Sequence, residues 1–362
     1  MNRKKLKVGV LGATGMVGQR FVSLLADHPW FEVVVVAASP GSAGKTYADA
    51  VAGRWTLPTP IPAATSALIV DDASAVARIA GAVDFVCCAV DMPKDVTAKL
   101  EEDYARAETP VVSNNSAHRW TPDAPMIVPE LNPEHAGVIE AQRRRLGTTR
   151  GFITAKPNCS LQSYAPAIHP LRGFGPTRIS VCTYQALSGA GKTFASWPEM
   201  TDNVIPFIKG EEEKSEQEPL KIWGSIVDGR IVNAAAPTIS AQCIRVPVAD
   251  GHLAAVSVAF ERKPGRDEIL AAWRDYTTRP QQLGLPSAPT PFLRYDEHDD
   301  RPQTRLDRDA GGGMAITLGR LRPDAIFDWR FVGLSHNTVR GAAGGAVLTA
   351  ELLTADGYLT AR

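Results

Sequence analysis

Apolar positions near the start of the chain follow two periods in turn. Residues 6–11 alternate and are rich in valine, which predicts a strand, and 31–38 form a nearly continuous apolar run, which predicts a buried parallel strand. Between them a helical period over about 15–26 ends at His28 and Pro29. Together these make one β-α-β unit. Further strands are expected at 83–89, 110–113 and 126–128, with alanine-rich helical stretches between them. That alternation predicts an α/β fold with a doubly wound sheet. From about Ile179 the pattern changes. Residues 179–185, 242–247 and 252–261 are longer strand-like runs with fewer helices between them, which predicts a second, α+β domain with a mixed or antiparallel sheet. Residues 280–310, rich in proline and charge and without a period, read as a long loop or arm. An apolar helix over 341–353 closes the pattern.

A chain of 362 residues has room for two such domains, each with its own core. Lys+Arg and Asp+Glu balance at 39 each, so no bulk field favours nucleic acid or an anionic membrane. The start, Met1-Asn2-Arg3-Lys4-Lys5, is basic, but the apolar run after it is too short for a secretory signal, and no stretch approaches a membrane span. The cysteines are Cys87, Cys88, Cys159, Cys182 and Cys243. Their odd number and the lack of any C-x-x-C or Cys/His ligand spacing argue for free thiols in a reducing cytoplasm and for no metal site.

After the first strand comes Gly12-Ala13-Thr14-Gly15-Met16-Val17-Gly18. Glycines at that point allow a tight turn and close approach of phosphate oxygens to backbone N–H groups, with the positive end of the following helix behind them. The spacing is not the strict G-x-G-x-x-G, and a ligand-free turn stays open on these residues alone. No carboxylate follows the second strand within 38–45. Ser39, Ser42 and Lys45 suit a ribose 2′-phosphate better than a bare hydroxyl, which favours NADP over NAD.

Four of the five cysteines lie in apolar, strand-like surroundings. Cys159 does not, because Pro157 and Asn158 precede it and a polar helix start follows. A thiol that attacks a carbonyl, coupled to a dinucleotide, suggests a thiohemiacetal and a thioester. Such chemistry needs a proton donor or acceptor, oxyanion donors and anchors for substrate charge. Asn158 is an adjacent amide donor. Arg245 and His252 flank a predicted turn and offer a carboxylate anchor and a proton shuttle, although a single histidine in a strand is more often structural.

Residues 12–19, 156–160 (Lys-Pro-Asn-Cys-Ser), 183–191, 245–252 and 337–345 occur in this order. Through them the chain closely resembles, end to end, the aspartate-semialdehyde dehydrogenase family, in particular its archaeal and fungal-like branch. The resemblance implies reversible NADP- and phosphate-dependent interconversion of L-aspartate 4-semialdehyde and 4-aspartyl phosphate, serving lysine, threonine and methionine biosynthesis. It makes Cys159 the acyl-forming nucleophile, His252 the acid/base and Gln185 the residue that orients substrate. Arg245 would hold the substrate α-carboxylate and Glu211 its amine. Lys214, Arg119 and Asn158 would bind phosphate, and this positive surround would lower the thiol pKa. Without the resemblance, 211–214 reads as a solvated helix start. Gly12, Thr14, Gly15, Met16, Val17, Ser39, Ser42, Ser188, Gly189 and Asn337 would contact the cofactor. Gly41 stands where relatives often carry arginine, which keeps NAD open as an alternative. A Rossmann-type domain would span 1–155 and 337–362, and a catalytic and dimerisation domain 156–336, with a homodimer or homotetramer as the assembly. Malonyl-CoA reductase, built on the same Cys, Gln and His set, is the rival enzyme. A non-catalytic regulatory protein would be expected to have lost at least one of the three.

Overall fold

β1 (Leu6–Leu11), β2 (Phe31–Ala38), β3 (Val70–Asp72), β4 (Phe85–Cys88), β5 (Val111–Ser113) and β6 (Ile153–Ala155) pair in parallel in the order β3-β2-β1-β4-β5-β6. A computed structural model describes residues 4–362, and the basic start Met1 to Arg3 lies outside the described residues. The strand order reverses beside β1, which opens a crevice at the carboxyl ends of the strands. β1 and β2 read as apolar runs because helices cover both faces of the sheet: Val8, Val10 and Val36 are fully buried.

Residues 126–128 do not form the expected strand. Only Met126 makes a bridge, to Ala155. Ile127 N–H donates to the Ala155 carbonyl (3.1 Å), and the side chain of Asn132 takes two of the remaining groups, donating Nδ2–H to the Met126 carbonyl (2.9 Å) and accepting the Val128 N–H on Oδ1 (2.8 Å). An asparagine that bonds nearby backbone in this way competes with a ladder.

The second sheet is mixed. β7 (Pro176–Gln185) is followed by a small hairpin, β8 (Ser225–Val227) and β9 (Arg230–Val232), which pairs by itself. β10 (Thr238–Arg245), β11 (His252–Phe260), β12 (Leu293–Asp296), β13 (Ile316–Pro323) and β14 (Trp329–Ser335) join β7 in the order β10-β7-β11-β14-β13-β12. β10 starts earlier than the pattern suggested and stops at Arg245, before Pro247. Along β7 and β11 burial alternates, so Ile179, Val181, Ala254 and Val256 enter the core while Ser180, Cys182, Ala255 and Ser257 lie on an open face.

Residues 280–310 are not a free arm. β12 adds to the sheet edge, Leu285 enters the core of the first sheet, and Phe292 and Leu293 enter that of the second. Ser287 donates from N (3.0 Å) and Oγ (2.5 Å) to buried Glu351, whose carboxylate also meets His28 Nε2 at 2.8 Å. A few apolar anchors among prolines and charges are too sparse to show a period.

From β14 the chain returns through a π-helical turn, Val339–Ala343, into the helix Gly344–Ala355, which is buried from Gly344 to Thr354 and packs in the first core. Arg340 of that turn is 1% exposed and forms a bidentate pair with Glu130 (Nη1 2.6 Å, Nη2 2.5 Å), while its Nε–H donates to Gln162 (3.0 Å). Among the described residues, no helix is long and apolar enough to cross a membrane.

Candidate active site

Three neighbouring strands of the second sheet end at one place. Gln185 closes β7, Arg245 closes β10 in register with it, and His252 opens the antiparallel β11. All three are buried. Cys159 arrives from the crossover between the sheets. Pro157 cannot extend β6 beyond Ala155, and the thiol sits where a 3-10 turn, Ser160–Ser163, begins. Its Sγ lies 3.4 Å from His252 Nε2.

The histidine's protonation follows from its other nitrogen. Nδ1 accepts the Ala186 N–H at 3.1 Å, so the neutral ring carries its proton on Nε2, facing the sulfur. Burial, and then Arg245, push His252 down to about 3, so the ring is neutral near pH 7. The expected depression of the thiol is not found. Burial, and then Glu211, push Cys159 up to about 11 against Lys156, Arg119 and Arg245. Desolvation of a thiolate, with the Glu211 carboxylate beside it, outweighs three cations, of which Arg119 is engaged by Glu218, while Glu211 itself holds Lys214.

Those engagements form a connected network. Glu211 opens the helix Glu211–Ile222 and is buried, not solvated. It accepts from Asn158 Nδ2 (2.9 and 3.0 Å), Gln185 Nε2 (3.2 Å) and Lys214 Nζ (2.8 Å). Burial opposes its charge, yet Lys214, Asn158 and Gln185 together hold the carboxyl below its ordinary value. Asn158 Oδ1 in turn accepts from Ser160 N (2.8 Å) and Oγ (2.6 Å). The Arg119 guanidinium donates to the Lys156 carbonyl (2.9 Å) and to Glu218 (2.9 Å), and Glu218 also accepts the Asn158 N–H (2.5 Å). Arg245 donates to the Ala186 carbonyl (2.6 Å) and, among the described residues, has no carboxylate partner. It is therefore the cation best left to receive one.

The first turn fits a dinucleotide. A Cβ at Gly12 would stand 2.3 Å from the Ala89 carbonyl oxygen, and one at Gly18 would stand 2.1 Å from that of Gly12, so neither position admits a side chain. Gln19 braces the turn by donating to the carbonyls of Thr14 (3.0 Å) and Arg54 (2.8 Å). Gly15 caps the next helix without a side-chain bond, leaving the N–H groups around Met16 and Val17 free for a pyrophosphate. Beyond β2, Ser39 and Lys45 are exposed and Ser42 is buried, and a Cβ at Gly41 would meet nothing within 4 Å.

A cleft of about 510 Å³ runs from Val17 past Cys159 to Lys214 and Arg245. Ser188, Gly189 and Asn337 lie along it. Asn337 ties the returning chain to both sides, donating to Ser188 Oγ (2.8 Å) and accepting the Gly251 N–H (2.8 Å) beside His252. A Cβ at Gly189 would lie 2.9 Å from both Arg245 Nη1 and His252 Cε1.

Sequence reasoning missed Glu218, Lys156 and the Glu130–Arg340 pair. A signal for the first existed. Glu211, Ser215, Glu218 and Ile222 recur at helical spacing and are all buried, a polar stripe that only an inward face explains. The other two depend on contacts between distant segments and left no local trace.

Two family models match the chain. A semialdehyde dehydrogenase NAD-binding domain covers residues 7–139, and a semialdehyde dehydrogenase dimerisation domain covers 168–340. An aspartate-semialdehyde dehydrogenase of Archaeoglobus fulgidus is 44% identical over 349 residues, covering 96% of this chain and 98% of the relative. That of Aspergillus fumigatus is 42% identical over 367 residues, covering 98% and 99%. Among solved structures, aspartate semialdehyde dehydrogenase with NADP from Candida albicans superposes with a TM-score of 0.87 at 36% identity, covering 98% of this chain and 100% of that one.

Proposed function

The chain belongs to the aspartate-semialdehyde dehydrogenase family, and on that premise we propose the following reaction and division of labour for its residues. The enzyme interconverts L-aspartate 4-semialdehyde and 4-aspartyl phosphate through a thioester on Cys159, with NADP and inorganic phosphate, on the route to lysine, threonine and methionine. The observation that carries this reading is the Sγ–Nε2 contact of 3.4 Å at the meeting point of three strand ends and the nucleotide cleft.

The turn from Gly12 to Val17, with Ser39 and Ser42 beyond β2 and Ser188, Gly189 and Asn337 along the cleft, would hold the dinucleotide. When bound, it supplies the two-electron redox half of the reaction. Cys159 Sγ attacks the acyl carbon of 4-aspartyl phosphate, the C–O bond to phosphate breaks, the acyl group stays on sulfur as a thioester, and the thiol's proton ends on the departing phosphate. Arg119, Lys214 and Asn158 receive the departing dianion, Lys214 exchanging part of its bond to Glu211. Arg245, free of a carboxylate, takes the substrate α-carboxylate, and Glu211 takes the ammonium. Gln185, anchored on Glu211, sets the acyl group beside the sulfur. When the reduced adduct on Cys159, a thiohemiacetal alkoxide, collapses, its oxygen re-forms the carbonyl, the C–S bond breaks with its electron pair on sulfur, and His252 Nε2–H steadies the departing thiolate by a hydrogen bond.

Reduced nicotinamide is the readout. With L-aspartate semialdehyde and NADP, its formation should require phosphate, and NAD should support it less well, since Gly41 removes a cation but leaves Ser39 and Lys45. Phosphate-independent turnover would overturn the acyl-phosphate branch, and turnover of malonyl-CoA with NADPH in its place would transfer the enzyme to the rival reaction.

We also assign residues 1–155 and 337–362 to the nucleotide-binding domain and 156–336 to the catalytic and dimerisation domain, working in the cytoplasm. All five cysteines are free thiols, in keeping with that compartment. The open face of β7, β10 and β11 is the surface assigned to a homodimer, of which a homotetramer would be a pair. Ala255 sits mid-sheet on that face, opposite Cys182 and Val332. Ala255→Arg should therefore halve the mass seen by sedimentation velocity, and an unchanged mass would remove this face from the assembly.

A further inference from the structure

Lys156 is 3% exposed, and its ammonium has one hydrogen-bond acceptor, the Pro157 carbonyl, at 3.4 Å. No carboxylate lies within ion-pair distance of it among the described residues. A buried amine so poorly compensated is costly unless something else uses its charge. Its position says what that is. Gly341 and Gly345 lie four residues apart on the returning chain, one in the π-helical turn and one in the helix that follows it. A Cβ at Gly341 would stand 2.7 Å from Cys159 Cβ, and one at Gly345 would stand 2.6 Å from Lys156 Cε. Both glycines therefore let the nucleophile and the lysine press closely against the same returning segment.

We propose that Lys156 is a positioning residue whose buried ammonium holds Cys159 as the thiolate during attack. It acts through charge, not contact, and rests on the reading of Cys159 as the nucleophile. The charged groups around it are few. Burial, and then Arg340, bring Lys156 down to about 7, with Arg119 acting in the same sense and Cys159 and Glu218 opposing. Arg340 and Arg119 are already matched by Glu130 and Glu218, whereas Lys156 has no matched anion. A negative charge on sulfur is what stabilises the protonated amine, and reciprocally the amine stabilises the thiolate. His252 Nε2–H, directed at Sγ from the other side, adds a neutral donor. Arg245 contributes at longer range, and Glu211 opposes.

The test is the rate of Cys159 alkylation by iodoacetamide from pH 5.5 to 9, followed on the Cys159 peptide by mass spectrometry in the intact enzyme. In Lys156→Met the rate at pH 6 should fall about tenfold, and the difference should close toward pH 9 as the wild-type amine, held down to about 7, loses its proton. Superimposable curves in a folded variant would overturn the proposal. So would an equal fall at every pH, which is what altered packing alone produces. If methionine does not fold, Lys156→Gln, which keeps a donor for the Pro157 carbonyl, carries the same comparison. No substrate or cofactor enters the measurement, so it stands apart from the identity of the acyl substrate. An unreactive Cys159 in the wild-type enzyme would instead strike at the nucleophile itself.

Discussion

Cys159→Ser should lower turnover on the order of 10⁴-fold or more while leaving the fold and dinucleotide binding unchanged. The thiol already works against its surroundings, which hold it up to about 11. A serine hydroxyl is a far weaker acid, so the same burial leaves almost no alkoxide. Serine is also the poorer leaving group when the tetrahedral adduct must collapse. Nothing in the packing penalises the exchange, since the contact with Gly341 is to Cβ, which serine keeps. The cofactor turn lies on the other sheet, and its braces, Gln19 and the Ala37 carbonyl, do not involve Cys159. Steady-state rates with aspartate semialdehyde, together with dinucleotide binding by fluorescence, separate these effects. Activity within tenfold of the wild type would show that the thiol is not the acyl carrier.

Glu130→Gln should be the most damaging single change to stability, at about 3–5 kcal/mol. Glu130 and Arg340 are buried together, and the carboxylate takes both guanidinium ends while the Phe292 ring lies 4.9 Å from the guanidinium carbon. Without the acid, a full positive charge stays in a site closed to water, with Gln162 as its other side-chain partner. The thermal midpoint should drop by about 6–15 °C by circular dichroism. Arg340→Met in the same chain should recover a large part of the loss, because it removes the orphaned charge. A loss below about 1 kcal/mol would mean that another acceptor replaces the carboxylate. Turnover should suffer too, since Arg340 immediately precedes the glycine that packs on Cys159.

The fold was most legible where local pattern and tertiary role agree. The strand, glycine turn and helix over residues 6–25, and the alternation along β7 and β11, are each written within a few consecutive side chains. Residues 126–128 misled because an asparagine side chain takes the Met126 carbonyl and the Val128 N–H that a strand would pair. Residues 280–310 misled because Leu285, Phe292 and Leu293 anchor the segment into two different cores without any period. In the site, Cys159 and the Arg245–His252 turn stood out chemically. The resemblance, and not the residues themselves, brought in Glu211. Lys156 and Arg340 were invisible in that reading, because a cation's burial is decided by what packs on it from far along the chain. The thiol's proton affinity misled for a related reason. A count of nearby cations leaves out both the Glu211 carboxylate that opposes them and the loss of water.

The path of the last residues constrains how the protein is made. The helix Gly344–Ala355 fills the core of the sheet that the ribosome delivers first, and the turn before it backs both Cys159 and Lys156. During synthesis the first sheet must therefore wait, with a large apolar gap, until this helix emerges behind the whole second sheet. The nascent chain then has no functional half-state. The nucleotide site and the nucleophile should mature in one late, cooperative event, and until then the growing chain depends on whatever shields its unfilled core.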